Sequence, residues 1–309
     1  MKKTIWSTYL AMLSLATAAC GQAGDGIDQA AHAAEVMEWR AGRLERLLAP
    51  NGFLTQVGLH WVEEGRYSMG SAADSDIVLP SVAAARVGEL RVGPQGAVFV
   101  AAEGVEVAHD GAPVSELVMP ADTSGETVIA AHRSLAWSVI ERGGKLAVRV
   151  RDYEHPWVAT FGPLPYFDID PTRRVEAELK RYDKPREITV DTVIEGFQQF
   201  PVAPGVATFE IDGTRYELEP QTAGEHLFFV FGDATNRDDT YGAGRYLYTD
   251  MPGDDGRFIL DFNQSYSPPC AFNDFSTCPV ASPRNRLPIR VEAGEKYDPA
   301  LHYSGVAGH

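Results

Sequence analysis

The apolar residues of this chain come in short runs, and this feature most restricts its fold. The runs alternate apolar with polar residues and are separated by Gly, Asp and Pro, with 29 Gly and 20 Pro in the whole sequence. Alternation with a period of two indicates strands that bury one face, and frequent turn residues indicate short connections. The pattern predicts a mainly β protein with two β-rich domains preceded by one helix.

The predicted strands fall into two groups. The spacing within residues 53–160 predicts a β-sandwich, with strands at 90–92, 97–100, 105–107, 135–140 and 146–150. Pro163-Leu164-Pro165 indicates a linker. Residues 166–300 then predict a second β domain, a sandwich or a barrel-like fold, with strands at 188–194, 207–211, 215–218, 227–231, 246–248, 258–262 and 287–291.

Residues 28–50 are predicted to form the helix. Apolar side chains recur there at the spacing of one helical face, at Met37, Ala41, Leu44 and Leu48. Glu35, Glu38, Arg43 and Arg46 lie elsewhere on the helix. Asp28 can cap the first turn, and Pro50-Asn51-Gly52 ends the helix because Pro and Gly do not continue the hydrogen-bond ladder.

The first residues indicate export. Lys2 and Lys3 precede a largely apolar stretch that is too short to cross a bilayer as a helix, so residues 1–19 are predicted to be a signal peptide. Cys20 follows three small residues and is the predicted lipidation site, with residues 20–27 as a flexible tether. An Asp directly after the lipidated Cys would favour retention in the inner membrane. Gly21 stands there instead, so the predicted location is the periplasmic face of the outer membrane. Ordinary cleavage without lipidation is the alternative.

The net charge excludes one class of partner. The chain carries a formal charge of −16, and a strongly acidic surface repels phosphate backbones, so nucleic-acid binding is not expected. After the first residues, no segment is apolar enough to cross a membrane. The predicted contact with the membrane is therefore the lipid anchor alone.

Polar residues of unusual kind crowd the last part of the chain. The candidate ligand-binding residues are Asp233, Tyr241, Arg245, Asp261, Asn263, Asn285, Arg286 and Glu295. Such a set can bind a small polar ligand. It can also serve a hydrolase, with Asp233 or Asp261 as the base. Arg245 or Arg286 would then hold an anion. The third interpretation is a buried hydrogen-bond network without ligand. We expect seven of these residues to converge in space, because buried Asp, Asn, Arg and Glu side chains must satisfy one another: Asp233, Arg245, Asp261, Asn263, Asn285, Arg286 and Glu295.

Cys270 and Cys278 have seven residues between them. In an oxidising compartment two such cysteines are predicted to form a disulfide. No His or Cys lies at a zinc-ligand spacing, and no phosphate-binding Gly loop or nucleophile elbow is present, so neither a metal nor a cofactor is expected.

Several short motifs are spread over most of the chain: Trp39-Arg40, Gly52-Phe53-Leu54, Val57-Gly58-Leu59-His60-Trp61, Met69-Gly70-Ser71, Phe231-Gly232-Asp233, Thr240-Tyr241-Gly242-Ala243-Gly244-Arg245, Asp261-Phe262-Asn263, Pro268-Pro269-Cys270-Ala271-Phe272, Cys278-Pro279, Asn285-Arg286-Leu287 and Ala293-Gly294-Glu295. Together these motifs resemble the bacterial domain of unknown function 1684 (DUF1684) family. Val280-Ala281-Ser282 departs from that family, which has more prolines there. The resemblance implies no activity, since none is established for the family.

Residues 53–160 also resemble a forkhead-associated sandwich, a fold that reads phosphothreonine. Met69-Gly70-Ser71 and the acidic-apolar stretch 74–80 carry this resemblance. Ser71 stands where that family has an Arg, and residues 84–88 lack its Ser and His. Without the Arg there is no bidentate grip on phosphate, so the resemblance implies a shared shape without phosphopeptide binding.

These observations favour a non-catalytic binding or assembly lipoprotein with a polar pocket in the second domain. Its expected partner is a small polar ligand or an envelope protein. A hydrolase-type enzyme is the alternative, so whether the chain is an enzyme stays open. A scaffold that presents an apolar patch to another envelope protein is a third possibility.

Overall fold

A computed structural model describes residues 28–94 and 96–304 of the chain. The predicted signal peptide, the lipidation site Cys20 and the 20–27 tether lie outside these described residues. The described part is mainly β with one long helix at its start, as the sequence predicts. The described residues form no closed barrel, so the barrel-like alternative for the second domain is wrong. None of the helices in these ranges is both long enough and apolar enough to span a bilayer.

Helix α1 (Gln29–Leu48) confirms the predicted helix but not its predicted packing face. Asp28 caps it, since its Oδ1 accepts from the backbone N–H of Ala30 at 3.0 Å. Met37, at 56% exposure, and Leu48, at 38%, point to solvent. The buried side chains are instead His32, Val36, Arg43 and Leu47. The helix turns a partly polar face inward because the core presents carboxylates there, as described below.

The N-terminal sandwich follows. Its strands are β1 (Gln56–Val62), β2 (Gly65–Gly70), β3 (Ile77–Val78), β4 (Gly88–Gly93), β5 (Gly96–Ala101), β6 (Ala108–His109), β7 (Ala112–Pro113), β8 (Glu116–Pro120), β9 (Ala130–His132), β10 (Leu135–Arg142) and β11 (Lys145–Asp152). They form one sheet in the order β1-β11-β10-β9-β6-β7 and another in the order β3-β2-β4-β5-β8. The pairs are antiparallel except β2 with β3. No strand forms at 105–107, where the prediction was wrong.

Side chains from the two sheets share one core. The ring of Trp137 from β10 contacts the ring of Phe99 from β5 edge to face, with 5.1 Å between centroids. Val148 and Val150 of β11 and Leu90 of β4 are fully buried in the same cluster. The apolar positions that alternate in the sequence thus form the inward face of each sheet.

The C-terminal region contains a second set of strands. They are β12 (Arg174–Glu187), β13 (Val190–Asp191), β14 (Gln198–Gln199), β15 (Val202–Ile211), β16 (Thr214–Leu218), β17 (Gln221–Ala223), β18 (His226–Phe231), β19 (Arg245–Asp250) and β20 (Arg257–Asp261). A four-stranded sheet has the order β16-β15-β12-β20, a three-stranded sheet the order β17-β18-β19, and β13 and β14 form a hairpin. Phe262 joins their core, 5.6 Å from Phe209 and 5.5 Å from Phe231 between ring centroids.

Two departures from prediction concern this region. Strand β12 spans 14 residues and is absent from the predicted strands. Its sequence is highly charged because, within its length, Ala177 and Leu179 are the buried positions. Conversely, residues 287–291 form no strand; they are apolar because Leu287 and Val291 fill the core from an irregular segment.

A third cluster joins α1 to both β regions. Leu47 of α1, Leu54 of the turn before β1 and Phe272 of the C-terminal region pack together. Leu164, from the Pro-Leu-Pro stretch expected to be a linker, is buried in the same cluster. Short helix α2 (Pro156–Thr160) lies at this junction, with Trp157 packed against the cluster. The helix and the two β regions are therefore in direct contact.

Candidate functional site

Residues 261–267, hereafter the hub segment, connect most of the predicted polar residues. The segment leaves β20 at Asp261, makes a short 3-10 turn over Phe262–Gln264 and continues to Ser267. Asp261 caps that turn, with its Oδ1 accepting from the backbone N–H of Asn263 at 3.0 Å. Three buried polar contacts meet this segment, at Asp261, Ser265 and Ser267.

The first contact is centred on Arg245, which is 1% exposed. Its Nη1 donates to Asp233 Oδ2 and to the carbonyl of Val291, each at 2.9 Å. Its Nη2 donates to Ser265 Oγ at 2.5 Å and to the carbonyl of Ala293. Burial lowers the pKa of Arg245, and the Asp233 carboxylate opposes that shift. The guanidinium is therefore a buried cation that ties three segments together.

The second contact joins α1 to Glu295, which is 0% exposed. Arg43 Nε donates to Glu295 Oε2 at 3.1 Å, and Arg43 Nη2 donates to the carbonyl of Ser267 at 3.0 Å. The other carboxylate oxygen accepts from the Ser267 backbone N–H at 3.1 Å. The guanidinium also lies 4.5 Å from the ring centroid of Tyr266. Every oxygen of this buried carboxylate has a donor.

The third contact joins α1 to Asp261. His32 Nε2 lies 2.7 Å from Asp261 Oδ2, and Arg174 Nη1 donates to the same oxygen at 3.3 Å. Asn263, which is 0% exposed, donates from Nδ2 to Asp261 Oδ1 at 2.8 Å and also bonds both backbone groups of Asp170. Asp261 is thus enclosed by donors and is 5% exposed.

Gly294 explains why a glycine stands beside Glu295. Its φ of +83° lies in the left-handed region, where residues with a Cβ are strained. A Cβ there would also lie 2.5 Å from the carbonyl oxygen of Ser265 and 2.7 Å from that of Phe262. Only glycine lets this segment pack directly on the hub segment.

The remaining predicted residues lie apart from the hub segment. Asn285 bonds both backbone groups of Glu219, at 2.8 and 2.9 Å, and the carbonyl of Val230 at 3.1 Å. Arg286 is exposed and donates to the carbonyl of Ala281 at 3.0 Å. Tyr241 is half-buried beside the Cys270 thiol, and burial raises its pKa. The structure therefore brings together Asp233, Arg245, Asp261, Asn263 and Glu295 around the hub segment. The predicted convergence is wrong for Asn285 and Arg286, because Asn285 bonds to Glu219 and Val230 and Arg286 pairs with Gly232.

Sequence reasoning missed the two helix residues that complete the network. His32 and Arg43 are 11 positions apart, which is three turns of a helix, so both lie on one face. In the sequence, the spacing of these two residues, together with the excess of carboxylates later in the chain, could have indicated that they face the core. The apolar spacing of Met37 and Leu44 instead indicated a different buried face.

Cys270 and Cys278 are free thiols in the structure, so the predicted disulfide is not formed. They are close, since the Cys270 backbone N–H donates to Cys278 Sγ at 3.2 Å, and both are buried. The intervening loop is held instead by hydrogen bonds: Asn273 Nδ2 donates to the Phe53 carbonyl at 2.9 Å, and Ser276 Oγ donates to Gln56 Oε1 at 2.9 Å. In the described ranges no group of three or more His, Cys, Asp or Glu is placed to hold a metal ion.

A cleft of about 780 Å³, hereafter the junction cleft, lies between the N-terminal sandwich and the C-terminal region. From the sandwich it is lined by β1 through His60, by the loop through Ser81 and by residues 152–156. From the C-terminal region it is lined by Asp274, Phe275 and Tyr303. None of the eight candidate residues lines it.

The chain was compared with known proteins. Residues 159–296 match the model of a family described as "Protein of unknown function (DUF1684)". The chain is 32% identical, with a TM-score of 0.38, to the solution NMR structure of an uncharacterized protein of Haloarcula marismortui, over 45% of this chain and 79% of that one. It is 22% identical, with a TM-score of 0.20, to the cytoplasmic domain of the T3SS sorting platform protein PscD from P. aeruginosa, over 31% of this chain and 80% of that one. A search of curated proteins found no match.

The family match confirms the resemblance to DUF1684 predicted from the C-terminal motifs. The resemblance to a forkhead-associated sandwich stays a prediction.

Proposed function

We propose that this chain, which belongs to the DUF1684 family through residues 159–296, is a non-catalytic binding protein of the cell envelope. Its ligand site is the junction cleft, and the buried network around the hub segment holds the walls of that site in place. The observation that carries the proposal is the contrast between the two places. The network is closed, and among its polar atoms in the described residues only His32 Nδ1 and Arg245 Nε are buried without a partner. The cleft is open and is lined by both apolar and polar groups.

The hydrolase alternative requires a carboxylate that a substrate can reach. A general base must come within hydrogen-bond distance of the proton it removes. Asp233 is 7% exposed and Asp261 is 5% exposed, and the oxygens of both already accept hydrogen bonds from the protein. This arrangement supports a structural role for both residues, with Arg245 as a counter-ion and not as an anion holder.

The junction cleft has the properties of a small-molecule site. Its volume of about 780 Å³ falls in the range of roughly 300–1,000 Å³ that ligand pockets occupy. Its lining combines apolar residues such as Leu79 and Pro80 with polar residues such as Asp152 and Ser134. Sites that bind small ligands combine an apolar lining with a few placed polar groups in the same way.

The envelope location rests on the first residues of the chain. Lipidation at Cys20 would attach the protein to the outer membrane, with residues 20–27 as the tether. Since α1 begins at Gln29, the tether would lead directly into the helix that the network clamps to the C-terminal region. In this arrangement the junction cleft belongs to a folded body on the periplasmic side of the membrane.

A cleft-filling variant tests the proposal. Ser81 lines the cleft from an exposed loop, so Ser81→Trp should fill the cleft without disturbing the core. Ser115→Trp, at an exposed position outside the cleft lining, is the matched control. The purified full chain would be screened by thermal shift against envelope metabolites, sugars and amines. Compounds that stabilise the natural chain and Ser115→Trp should fail to stabilise Ser81→Trp. Equal stabilisation of Ser81→Trp would refute the cleft as the site.

A further inference from the structure

Among the described residues, the junction cleft is lined by three acidic side chains and by no Lys or Arg. The acidic residues are Asp152, Glu154 and Asp274. Asp274 already has a partner, because His302 Nε2 lies 3.0 Å from its Oδ1. Asp152 is the most buried of the three carboxylates.

Asp152 is a buried carboxylate without a counter-ion. It is 6% exposed, and its Oδ1 accepts one hydrogen bond, from the backbone N–H of Glu154 at 3.1 Å. Within residues 28–94 and 96–304, no Lys, Arg or His forms an ion pair with it. Its neighbour Arg151 points elsewhere, donating to Thr55 Oγ1 at 2.8 Å. Its Oδ2 stays accessible in the cleft, so a ligand that displaces water from this oxygen must offer it a donor in return.

The histidines of the cleft do not supply a positive charge. Burial lowers the pKa of His60, which favours its neutral form at neutral pH. His155 Nδ1 accepts a hydrogen bond from the Trp157 backbone N–H at 3.2 Å, and a ring nitrogen that accepts carries no proton. Both rings therefore line the cleft as uncharged side chains.

Aromatic rings form part of the same wall. The rings of His155 and Tyr303 lie 4.7 Å apart between centroids, and Phe275 lies 6.2 Å from Tyr303. The faces of Tyr and Phe rings attract cations, and they also pack against an apolar or aromatic body. A ligand with one positive group and one apolar part would satisfy both features.

From this arrangement we infer that the junction cleft binds an organic cation, a protonated amine or guanidinium on an apolar or aromatic body, with Asp152 as its counter-ion. The inference rests on the proposed function, because it names the chemical class of the ligand for the same cleft. The cation bonds to the free oxygen of Asp152, and the body lies between the Phe275 and Tyr303 side and the Leu79-Pro80 side.

Three probes that share one body and differ in charge test the inference: phenethylamine, phenethyl alcohol and phenylacetate. Binding to the purified full chain would be measured by isothermal titration calorimetry. We expect phenethylamine to bind more tightly than the alcohol by about tenfold or more, and phenylacetate to bind least. A charge-assisted hydrogen bond accounts for a difference of roughly 10- to 100-fold.

Variants then locate the effect. Asp152→Asn keeps the acceptor for the Glu154 N–H but removes the charge, so it should abolish the preference for phenethylamine over the alcohol. Asp183→Asn, at an exposed position on β12, is the matched control and should keep the preference. Should Asp152→Asn fold poorly, the comparison of the three probes on the natural chain still decides the inference.

Two results would overturn it, and they differ from a failure of the cleft itself. If the alcohol or phenylacetate binds as well as the amine and Ser81→Trp removes all binding, the cleft is the site but its ligand is not a cation. If no probe binds at millimolar concentration, the buried carboxylate does not hold an amine and the inference fails. If the amine binds equally well to Ser81→Trp, the cleft is not the site and the proposed function fails with it.

Discussion

Replacing Arg43 by Met tests whether the network around the hub segment holds helix α1 in place. Met keeps an apolar stem of similar length against the ring of Tyr266 but removes the guanidinium. Glu295, which is 0% exposed, would then keep the Ser267 backbone N–H as its one donor among the described residues. The change therefore leaves a buried negative charge without a counter-ion.

The expected loss follows from the burial of the pair. The side chains of Arg43 and Glu295 are 7% and 0% exposed. Removing one partner of such a pair destabilises a protein by about 3–5 kcal/mol. For a protein region of this size, that corresponds to a drop in Tm of roughly 6–20 °C.

An exposed pair of the same type provides the control. Arg257 and Glu176 lie 2.6 Å apart on the outer face of the sheet, with side chains 58% and 59% exposed. Arg257→Met should cost under about 1 kcal/mol, because solvent screens this pair. Both variants would be compared by urea unfolding, followed by circular dichroism, and by thermal melting.

The double variant Arg43→Met/Glu295→Gln completes the test. Gln can still accept from the Ser267 N–H, and no lone charge remains buried, so the double variant should be more stable than Arg43→Met alone. The reasoning is refuted if Arg43→Met loses no more stability than Arg257→Met. It is also refuted if removing the Glu295 charge gives no recovery.

Four further predictions concern other parts of the chain. Cys20→Ala should move the protein from the membrane fraction to the soluble periplasm, as fractionation would measure; retention in the membrane would contradict lipidation. The 53–160 region should not bind phosphothreonine peptides, and micromolar binding lost on dephosphorylation would disprove this. Burial lowers the pKa of His60 below its usual 6.5, so the unfolded state takes up the proton first and stability falls as the pH drops below about 6.5; His60→Asn should flatten that fall in melting curves between pH 7 and 5. Cys270 and Cys278 are both buried, and burial also raises the pKa of Cys270, so both thiols should alkylate slowly in the folded chain and fully once it is unfolded without reductant; a cross-linked peptide pair in mass spectrometry would contradict the free thiols.

Local chemistry was sufficient to predict several elements of this protein. Asp28 caps α1 because the backbone N–H groups of the first helical turn have no partner within the helix and a side-chain oxygen just before that turn can accept from them. The strands β10 and β11 were predictable because each contains a short run of mainly apolar residues and the two strands are separated by Gly143-Gly144. The polar residues of the C-terminal motifs were also predicted to cluster, since so many charges among short strands must pair. Asp233, Arg245, Asp261, Asn263 and Glu295 meet that expectation.

The partners of those residues could be found only in the tertiary structure. His32 reaches Asp261 across 229 positions, and Arg43 reaches Glu295 across 252 positions. Local periodicity placed the apolar stripe of α1 in the core, but two buried carboxylates outweigh it, because an unpaired buried charge costs more than exposing a Met or a Leu. The helix therefore turns the face that carries His32 and Arg43 inward. The sequence alone determined that the carboxylates needed partners, and the fold decided which of 27 Lys and Arg residues, and which His, would supply them.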